Sequence, residues 1–144
     1  MYRSHVMVCA GTGCTSSGSI PIAEAFEQEI QNNDLAGEVR VIRTGCFGLC
    51  ALGPIVVIYP EASFYSMVKK EDVPEIVSEH LLKGRPVTRL LYDETVADDQ
   101  TIKSLDETGF YKKQMRIALR NCGVINPENI DEYIGFDGYQ TLGK

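Results

Sequence analysis

Short apolar runs and amphipathic stretches alternate along residues 1–84, and their periods predict alternating strands and helices. Runs rich in β-branched residues at 6–9 and 39–43 predict two strands. Between them, apolar residues recur at helical spacing over 22–30, and the serines at 17–19 predict the N-cap of that helix. A strand–helix–strand order predicts two parallel strands joined by a right-handed crossover.

The stretch after the second strand predicts a hairpin followed by a helix. The continuous apolar run 55–59 is typical of a buried strand, and 64–68 predicts its antiparallel partner across a short turn. Apolar residues at helical spacing then predict a helix over 72–81 that Gly84 ends. The resulting order, β-α-β-β-β-α, predicts a complete α/β domain over residues 1–84.

The pattern changes in the rest of the chain. Residues 87–92 predict one more strand, and the polar stretch within 85–109 predicts a linker. Helices are predicted over 110–121 and 130–136, and Asn126-Pro127-Glu128 is predicted to cap the second of them. Because residues 110–144 contain too few apolar side chains for a core of their own, we expect a mostly helical, loosely packed C-terminal extension.

Composition and charge add that this is an ordinary globular sequence with an acidic surface. Of its 144 residues, 44% are apolar and 24% are charged, and the formal net charge is −6. Residues 1–82 contain twice as many acidic as basic side chains. A chain without a basic face is not expected to bind nucleic acid. Without a long apolar run or a signal peptide, it is expected to be cytoplasmic and not inserted in a membrane.

Cysteines are the most informative residues, because four of the five form two close pairs in glycine-rich loops. The first cysteine loop is 9–14 and the second is 45–50. Two parallel strands end at the same edge of their sheet, so we expect the two loops to converge there. In a reducing compartment, clustered thiols indicate metal or redox chemistry rather than disulfides. The candidate site residues are Cys9, Cys14, Cys46 and Cys50.

Two kinds of metal centre remain open on the spacing of these cysteines. A four-cysteine zinc site favours tighter Cys-x2-Cys pairs but tolerates the x4 and x3 spacings of this chain. A [2Fe–2S] cluster needs two thiolates on each iron, which loops with longer spacings can supply. The spacing by itself favours neither centre.

Longer motifs around the cysteines resemble the thioredoxin-like [2Fe–2S] ferredoxin family. The motifs are Cys-Ala-Gly-Thr-Gly-Cys at 9–14, Thr-Gly-Cys-Phe-Gly-Leu-Cys at 44–50 and Leu-Gly-Pro-Ile-Val-Val-Ile-Tyr-Pro-Glu at 52–61. The resemblance covers about residues 3–83 and implies a thioredoxin-like fold with a [2Fe–2S] cluster. Carried over position by position, the family's four ligands fall on Cys9, Cys14, Cys46 and Cys50.

The C-terminal part carries a second resemblance. The motifs Phe-Tyr-Lys-Lys-Gln at 110–114, Arg-Ile-Ala-Leu-Arg-Asn-Cys-Gly at 116–123 and Asn-Pro-Glu-Asn-Ile-Asp-Glu-Tyr-Ile at 126–134 resemble the opening segment of the NADH-binding flavoprotein subunit of respiratory complex I. Together the two parts resemble the N-terminus of the flavoprotein (β) subunit of NAD(P)-linked, often electron-bifurcating, [FeFe]-hydrogenases and related formate dehydrogenases.

This second resemblance implies a part of a longer subunit. Its FMN and NAD(P) sites and its [4Fe–4S] cysteines would lie in the remainder of the parent chain, beyond Lys144. The expected function is one-electron transfer between the flavin and partner subunits of a hydrogenase or NADH oxidoreductase. The fragment itself is expected to be non-catalytic. The alternative is a zinc-stabilised module that docks subunits without redox activity.

The other residues with metal-binding side chains are expected to have structural roles. Cys122 is expected to be a small buried hydrophobe rather than a fifth ligand. His5 and His80 could complete a Rieske-like centre, but four cysteines already suffice for a cluster, and His80 is accounted for by the dipole at a helix C-terminus. Glycines of the two loops are expected to let backbone N–H groups approach the centre. They are Gly11, Gly13, Gly45 and Gly48.

Two further features carry structural predictions. Basic residues recur at helical spacing and predict a solvated helix face, with docking onto an acidic partner as the alternative. They are Lys112, Lys113, Arg116 and Arg120. The bond between Gly53 and Pro54 precedes a buried strand beside the second cysteine loop, where thioredoxin-like folds often hold a cis proline. We therefore expect a cis bond there.

Overall fold

A four-stranded sheet forms the centre of the protein, for which a computed structural model describes residues 2–92 and 108–143. Its strands are β1 (Ser4–Cys9), β2 (Val39–Thr44), β3 (Val56–Tyr59) and β4 (Ser63–Tyr65). The spatial order is β2-β1-β3-β4. β1 and β2 are parallel, whereas β3 is antiparallel to β1, and β4 is antiparallel to β3. The predicted parallel pair and the predicted hairpin are both confirmed.

Helices connect and cover these strands. α1 (Thr12–Ser16) lies in the first cysteine loop, which the sequence predicted as loop throughout. α2 (Ser19–Asn32) is the predicted crossover between β1 and β2. α3 (Val73–Glu75) continues as a π-helix over Ile76–Leu81. The predicted helical segment is therefore confirmed, but most of it is π-helical rather than α-helical.

The start of α2 differs from the prediction of a serine N-cap. The N-cap residue is Gly18, whose φ of 91° lies in the left-handed region and whose position carries no side-chain cap. Ser17 instead donates its hydroxyl to the carbonyl of Gly13 in α1, at 3.0 Å. A glycine is suited to this position because the chain must turn sharply between two consecutive helices.

β4 is shorter than the predicted strand 64–68 because the chain turns away after Tyr65. The φ of Met67 is 51°, which no β-strand accommodates. The N–H group of Met67 donates to the carbonyl of Leu52 at 2.9 Å, beside the second cysteine loop. Backbone hydrogen bonds therefore go to neighbouring loops instead of extending the ladder.

The strand predicted over 87–92 is wrong. Thr88–Leu90 form one turn of 3-10 helix, and a single bridge between Tyr65 and Leu91 is the only sheet pairing described there. Val87, Leu90 and Leu91 are buried in the main core. Their apolar pattern thus reflects burial of side chains and does not require a ladder of backbone hydrogen bonds.

Two apolar layers lie on opposite faces of the sheet. Alternation along β1 sends Val6 and Val8 towards α2 and the helical segment after Asp72, which form the larger core. Met7 and Cys9 point to the other face. That second layer is completed by Cys14, Ile42, Phe47, Ile55, Val57, Phe64 and Tyr111. Because Tyr111 belongs to it, the C-terminal part of the chain covers the second face of the sheet.

The helix predicted over 110–121 is mostly wrong. α4 (Gly109–Lys112) ends after one turn, and the chain then continues in turns to the short helix α5 (Ile130–Gly135). Met115, Ile117 and Leu119 are 85%, 75% and 63% exposed. A helix without a face to bury gains little from packing, so tertiary contacts of this segment prevail. The predicted basic helix face does not form either.

The last predicted helix is confirmed as α5, with a different cap. Its N-cap is Asn129, whose side-chain oxygen accepts a hydrogen bond from the N–H group of Asp131 at 3.0 Å. Asn126, the predicted cap, instead accepts from the N–H group of Glu128 at 3.0 Å. The chain ends with a 3-10 turn over Gln140–Gly143.

The division into a domain at 1–84, a linker at 85–109 and an extension at 110–144 stays a prediction. Most of the linker, residues 93–107, lies outside the described residues. The bond between Gly53 and Pro54 is cis, as predicted, and a second cis bond joins Tyr59 to Pro60. Among the described residues, no helix is long and apolar enough to cross a bilayer.

Candidate metal centre

The parallel pair of strands brings the two cysteine loops to one edge of the sheet. Cys9, the last residue of β1, is in register with Thr44, the last residue of β2 and two residues before Cys46. The N–H group of Ala10 donates to the carbonyl of Thr44 at 2.8 Å, which ties the two loops together where they begin. The predicted convergence is therefore confirmed at the level of the backbone.

Glycines let the loops approach more closely than side chains would allow. A Cβ atom built on Gly11 would lie 2.9 Å from the Cβ atom of Cys46, and one on Gly13 would lie 3.3 Å from that of Cys50. A Cβ atom on Gly53 would lie 2.8 Å from the Sγ atom of Cys14. The absence of side chains at these glycines thus lets the two cysteine loops pack closely against each other.

The four thiols form two pairs with different exposure. The Sγ atoms of Cys46 and Cys50 are 3.4 Å apart, and both residues are exposed. Cys9 and Cys14 are both buried, in the apolar layer on the second face of the sheet. The site therefore has one buried wall and one wall that faces solvent. Within residues 2–92 and 108–143, no group of three or more His, Cys, Asp or Glu side chains is arranged so that it could hold a metal ion.

Burial and mutual contact disfavour thiolates in this arrangement. Burial, followed by the neighbouring Cys9 thiol, raises the pKa of Cys14 to about 12. The hydrogen bond with Cys46 raises the pKa of Cys50. A thiolate pair of this kind needs a cation to offset its repulsion, and a [2Fe–2S] cluster takes two thiolates at each of two irons. The two thiol pairs supply the number of ligands that such a cluster requires.

A backbone donor approaches one of the sulfur atoms. The N–H group of Gly48 donates to the Sγ atom of Cys46 at 3.3 Å, and the φ of Gly48 is 90°. The prediction of a free glycine N–H near the centre is confirmed for Gly48. Gly45 has another neighbour, since a Cβ atom there would lie 2.7 Å from the Sγ atom of Cys122.

Comparison with known proteins decides the class of the site. The sequence profile of the thioredoxin-like [2Fe–2S] ferredoxin family matches residues 1–81, more than half of the chain. The chain belongs to this family. It is therefore an iron–sulfur electron carrier with a [2Fe–2S] cluster, built on the thioredoxin-like ferredoxin fold.

Individual relatives agree with this ferredoxin assignment. A 2Fe–2S ferredoxin of Clostridium pasteurianum is 43% identical over 96 residues, which are 61% of this chain and 94% of the relative. The crystal structure of the thioredoxin-like [2Fe–2S] ferredoxin of Aquifex aeolicus superposes with a TM-score of 0.60 at 37% identity. That superposition covers 65% of this chain and 99% of the other.

A third similarity involves a hydrogenase subunit. The NADP-reducing hydrogenase subunit HndC of Solidesulfovibrio fructosivorans is 64% identical over 33 residues. These residues are 23% of this chain and 7% of that subunit. The similarity is therefore high but local.

Residues beyond the family match contact the second cysteine loop, which the sequence did not predict. The hydroxyl of Tyr111 donates to the carbonyl of Phe47. The thiol of Cys122 donates to the carbonyl of Cys46 at 3.2 Å. Cys122 is only half-buried, so the prediction of a purely apolar role is wrong. In the sequence, only the paired aromatic residues at 110–111, in an otherwise polar stretch, indicated that this segment packs against the domain.

A further contact fixes the same segment. The N–H group of Gly123 donates to the Oγ1 atom of Thr44 at 3.1 Å. The φ of Gly123 is 79°, and a Cβ atom there would lie 2.4 Å from the ring of Phe47. Only glycine allows the backbone to lie this close to the loop.

The described contacts of His80 lie away from the cysteine loops. Its Nδ1 atom is 2.8 Å from the hydroxyl oxygen of Tyr65, which also accepts from the N–H group of Val87 at 3.1 Å. His80 lies in the last turn of the helical segment, as predicted, and burial lowers its pKa. The account of this residue by the helix dipole stays a prediction, and its side chain is buried in the core.

Proposed function

We propose that the four paired cysteines ligate the [2Fe–2S] cluster, and that the chain relays single electrons between the flavin of an NAD(P)H-linked hydrogenase-type enzyme and partner subunits. The proposed ligands are Cys9, Cys14, Cys46 and Cys50. The observation that carries the proposal is the close approach of the two cysteine loops, with Gly11 and Gly13 leaving room for Cys46 and Cys50. When bound, the cluster supplies a site that accepts and returns one electron.

The uneven exposure of the thiols supports a relay. Cys9 and Cys14 would anchor the cluster in the protein, while Cys46 and Cys50 would lie between the cluster and solvent. A carrier that exchanges electrons with other proteins needs such an exposed side, because transfer requires close approach. The excess of acidic residues in 1–82 would steer it towards basic partner surfaces.

The hydrogenase setting rests on sequence similarity. The local identity to HndC of Solidesulfovibrio fructosivorans, a subunit of an NADP-reducing hydrogenase, supports a place in a complex of that kind. Partners would then be the other subunits of such a complex and, if the chain is part of a longer flavoprotein, the FMN- and NAD(P)-binding remainder. We place this complex in the cytoplasm.

Anaerobic purification tests the ligand assignment. The wild-type protein is expected to be reddish-brown, with about two irons and two sulfides per chain and an EPR signal on reduction. Cys→Ser at each of the four proposed positions should abolish or strongly destabilise the cluster. Cys122→Ser is the matched control, since its hydroxyl can still donate to the carbonyl of Cys46. A normal cluster in Cys14→Ser would contradict the assignment.

A second experiment tests the relay. Under anaerobic conditions, a catalytic amount of an NAD(P)H-reduced hydrogenase flavoprotein should bleach the oxidised cluster of the wild-type chain, as followed by visible absorption. NAD(P)H without the flavoprotein should not, because it delivers two electrons as a hydride and the cluster accepts one electron at a time. A colourless protein with one zinc per chain would instead support a docking module without redox activity.

A further inference from the structure

One peptide group connects the C-terminal segment to a sulfur atom of the candidate centre. The carbonyl of the peptide between Phe47 and Gly48 accepts a hydrogen bond from the hydroxyl of Tyr111. The N–H group of the same peptide donates to the Sγ atom of Cys46 at 3.3 Å. This peptide is trans, so its C=O and N–H point in opposite directions and a hold on one end orients the other.

We propose that Tyr111 is a positioning residue for the cluster: by donating to the Phe47 carbonyl it orients and polarises the peptide that donates to Cys46, and it thereby raises the reduction potential. The inference rests on the proposed ligation by Cys46. Tyr111 lies outside the part of the chain that the family profile matches, residues 1–81.

Tyr111 is held in place on several sides. It is 6% exposed, within the same apolar layer as Phe47, which is 3% exposed. The guanidinium of Arg116 lies over its ring, 4.8 Å from the centroid, and Phe110 meets it edge-on with ring centroids 5.3 Å apart. Burial raises the pKa of Tyr111 to about 12, so its hydroxyl is a neutral donor throughout the physiological range.

Without the hydrogen bond from Tyr111, the peptide between Phe47 and Gly48 can rotate. Gly48 has a φ of 90°, and glycine crosses between backbone regions more easily than any other residue. A carbonyl that accepts a hydrogen bond also polarises the amide, which strengthens donation from its N–H group. Tyr111 therefore acts on both the orientation and the strength of the bond to sulfur.

The consequence for the cluster follows from its charge. Reduction adds one negative charge to the irons and their sulfurs, and an N–H dipole aimed at a ligand sulfur stabilises that charge. Loss of the bond therefore favours the oxidised state. For one hydrogen bond of ordinary strength, the ratio of reduced to oxidised cluster at a fixed applied potential should fall about two- to tenfold.

Tyr111→Phe in the complete chain with its cluster tests this inference, because it removes the hydroxyl and keeps the ring. We expect unchanged iron and sulfide content and a lower midpoint potential in an EPR-monitored redox titration. Hydrogen exchange should also become faster at the Gly48 amide. Tyr139→Phe is the control, because Tyr139 lies in the same C-terminal segment, is 55% exposed and should leave all three readouts unchanged.

Gly48→Ala provides a second variant that acts on the same peptide. A left-handed φ is strained for alanine, so this change should also lower the midpoint potential, and less than additively with Tyr111→Phe. A wild-type potential and wild-type Gly48 exchange in Tyr111→Phe, with its cluster complete, would overturn this inference alone. A wild-type chain without a [2Fe–2S] cluster would overturn the proposed function as well.

Discussion

Gly11 and Cys46 approach so closely that a Cβ atom on residue 11 would lie 2.9 Å from the Cβ atom of Cys46. The backbone of Gly11, with φ −63° and ψ 153°, suits any residue, so the requirement for glycine is purely steric. We expect Gly11→Ala to push the two cysteine loops apart, to reduce cluster content by more than half and to lower the free energy of unfolding by about 1–3 kcal/mol. Iron analysis and denaturant titration measure both effects.

Gly37→Ala is the matched control for Gly11. A Cβ atom on Gly37 meets nothing within 4 Å, so cluster content should stay at the wild-type level. If Gly11→Ala also retained a full cluster, the close packing of the two loops would not be what brings the thiols together.

Gly123→Ala should detach the C-terminal segment from the second cysteine loop. The substitution combines a strained φ of 79° with a contact of 2.4 Å between the new Cβ atom and the ring of Phe47. We expect faster hydrogen exchange at the amides of 109–112 and 122–125, measured by mass spectrometry, while α2 remains protected.

Gly135→Ala is the control for that experiment, since a Cβ atom on Gly135 meets nothing within 4 Å. It changes the same part of the chain without touching the loop, so exchange around Tyr111 should be unaffected. Equal exchange in wild type and Gly123→Ala would argue against a role of this glycine in docking the segment.

Tyr65→Phe should destabilise the fold through two unpaired polar groups. The hydroxyl of Tyr65 is the partner of the N–H group of Val87 and of the Nδ1 atom of His80, all in the core. Leaving buried groups without a partner should lower the free energy of unfolding by about 1–3 kcal/mol. Urea titration measures it, and Tyr2→Phe, at a 40% exposed position, should change little.

The buried histidine predicts a pH dependence of stability. Burial lowers the pKa of His80 below its ordinary value of 6.5, so the folded chain takes up this proton less readily than the unfolded chain. The free energy of unfolding should therefore fall as the pH drops below about 6.5, until the folded pKa is reached.

Replacement of this histidine should remove the effect. In His80→Gln, the change in the free energy of unfolding between pH 7.5 and 5.5 should be smaller than in wild type, whatever the absolute stability of the variant. An unchanged slope in His80→Gln would assign the pH dependence to other groups.

Local patterns predicted most of the ferredoxin domain because its elements bury regular faces. The β-branched run of β1 is a strand buried on both faces, and the helical spacing in α2 corresponds to its buried face, so pattern and burial agree. The prediction of a strand over 87–92 failed because a 3-10 turn buries the apolar side chains of this stretch. The spacing of apolar residues does not distinguish such a turn from a short strand.

The C-terminal segment was predicted less well because its structure depends on distant residues. Helical propensity favoured a helix to 121, but α4 ends at Lys112, and the chain then follows contacts with the second cysteine loop. Residues that are more than sixty positions apart in sequence make these contacts, and no local pattern records them.

By itself, the sequence determined the parallel pair of strands, the two cysteine loops at one sheet edge and, through its motifs, the ferredoxin family. These features depend on local periodicity, on the spacing of glycines and cysteines and on the order of the elements, and each of these can be derived from the sequence. Only the tertiary structure decided that Cys9 and Cys14 are buried while Cys46 and Cys50 are exposed, and that Tyr111 reaches the second loop. Exposure and long-range hydrogen bonds arise when separate segments pack together, so they exist only in the folded chain.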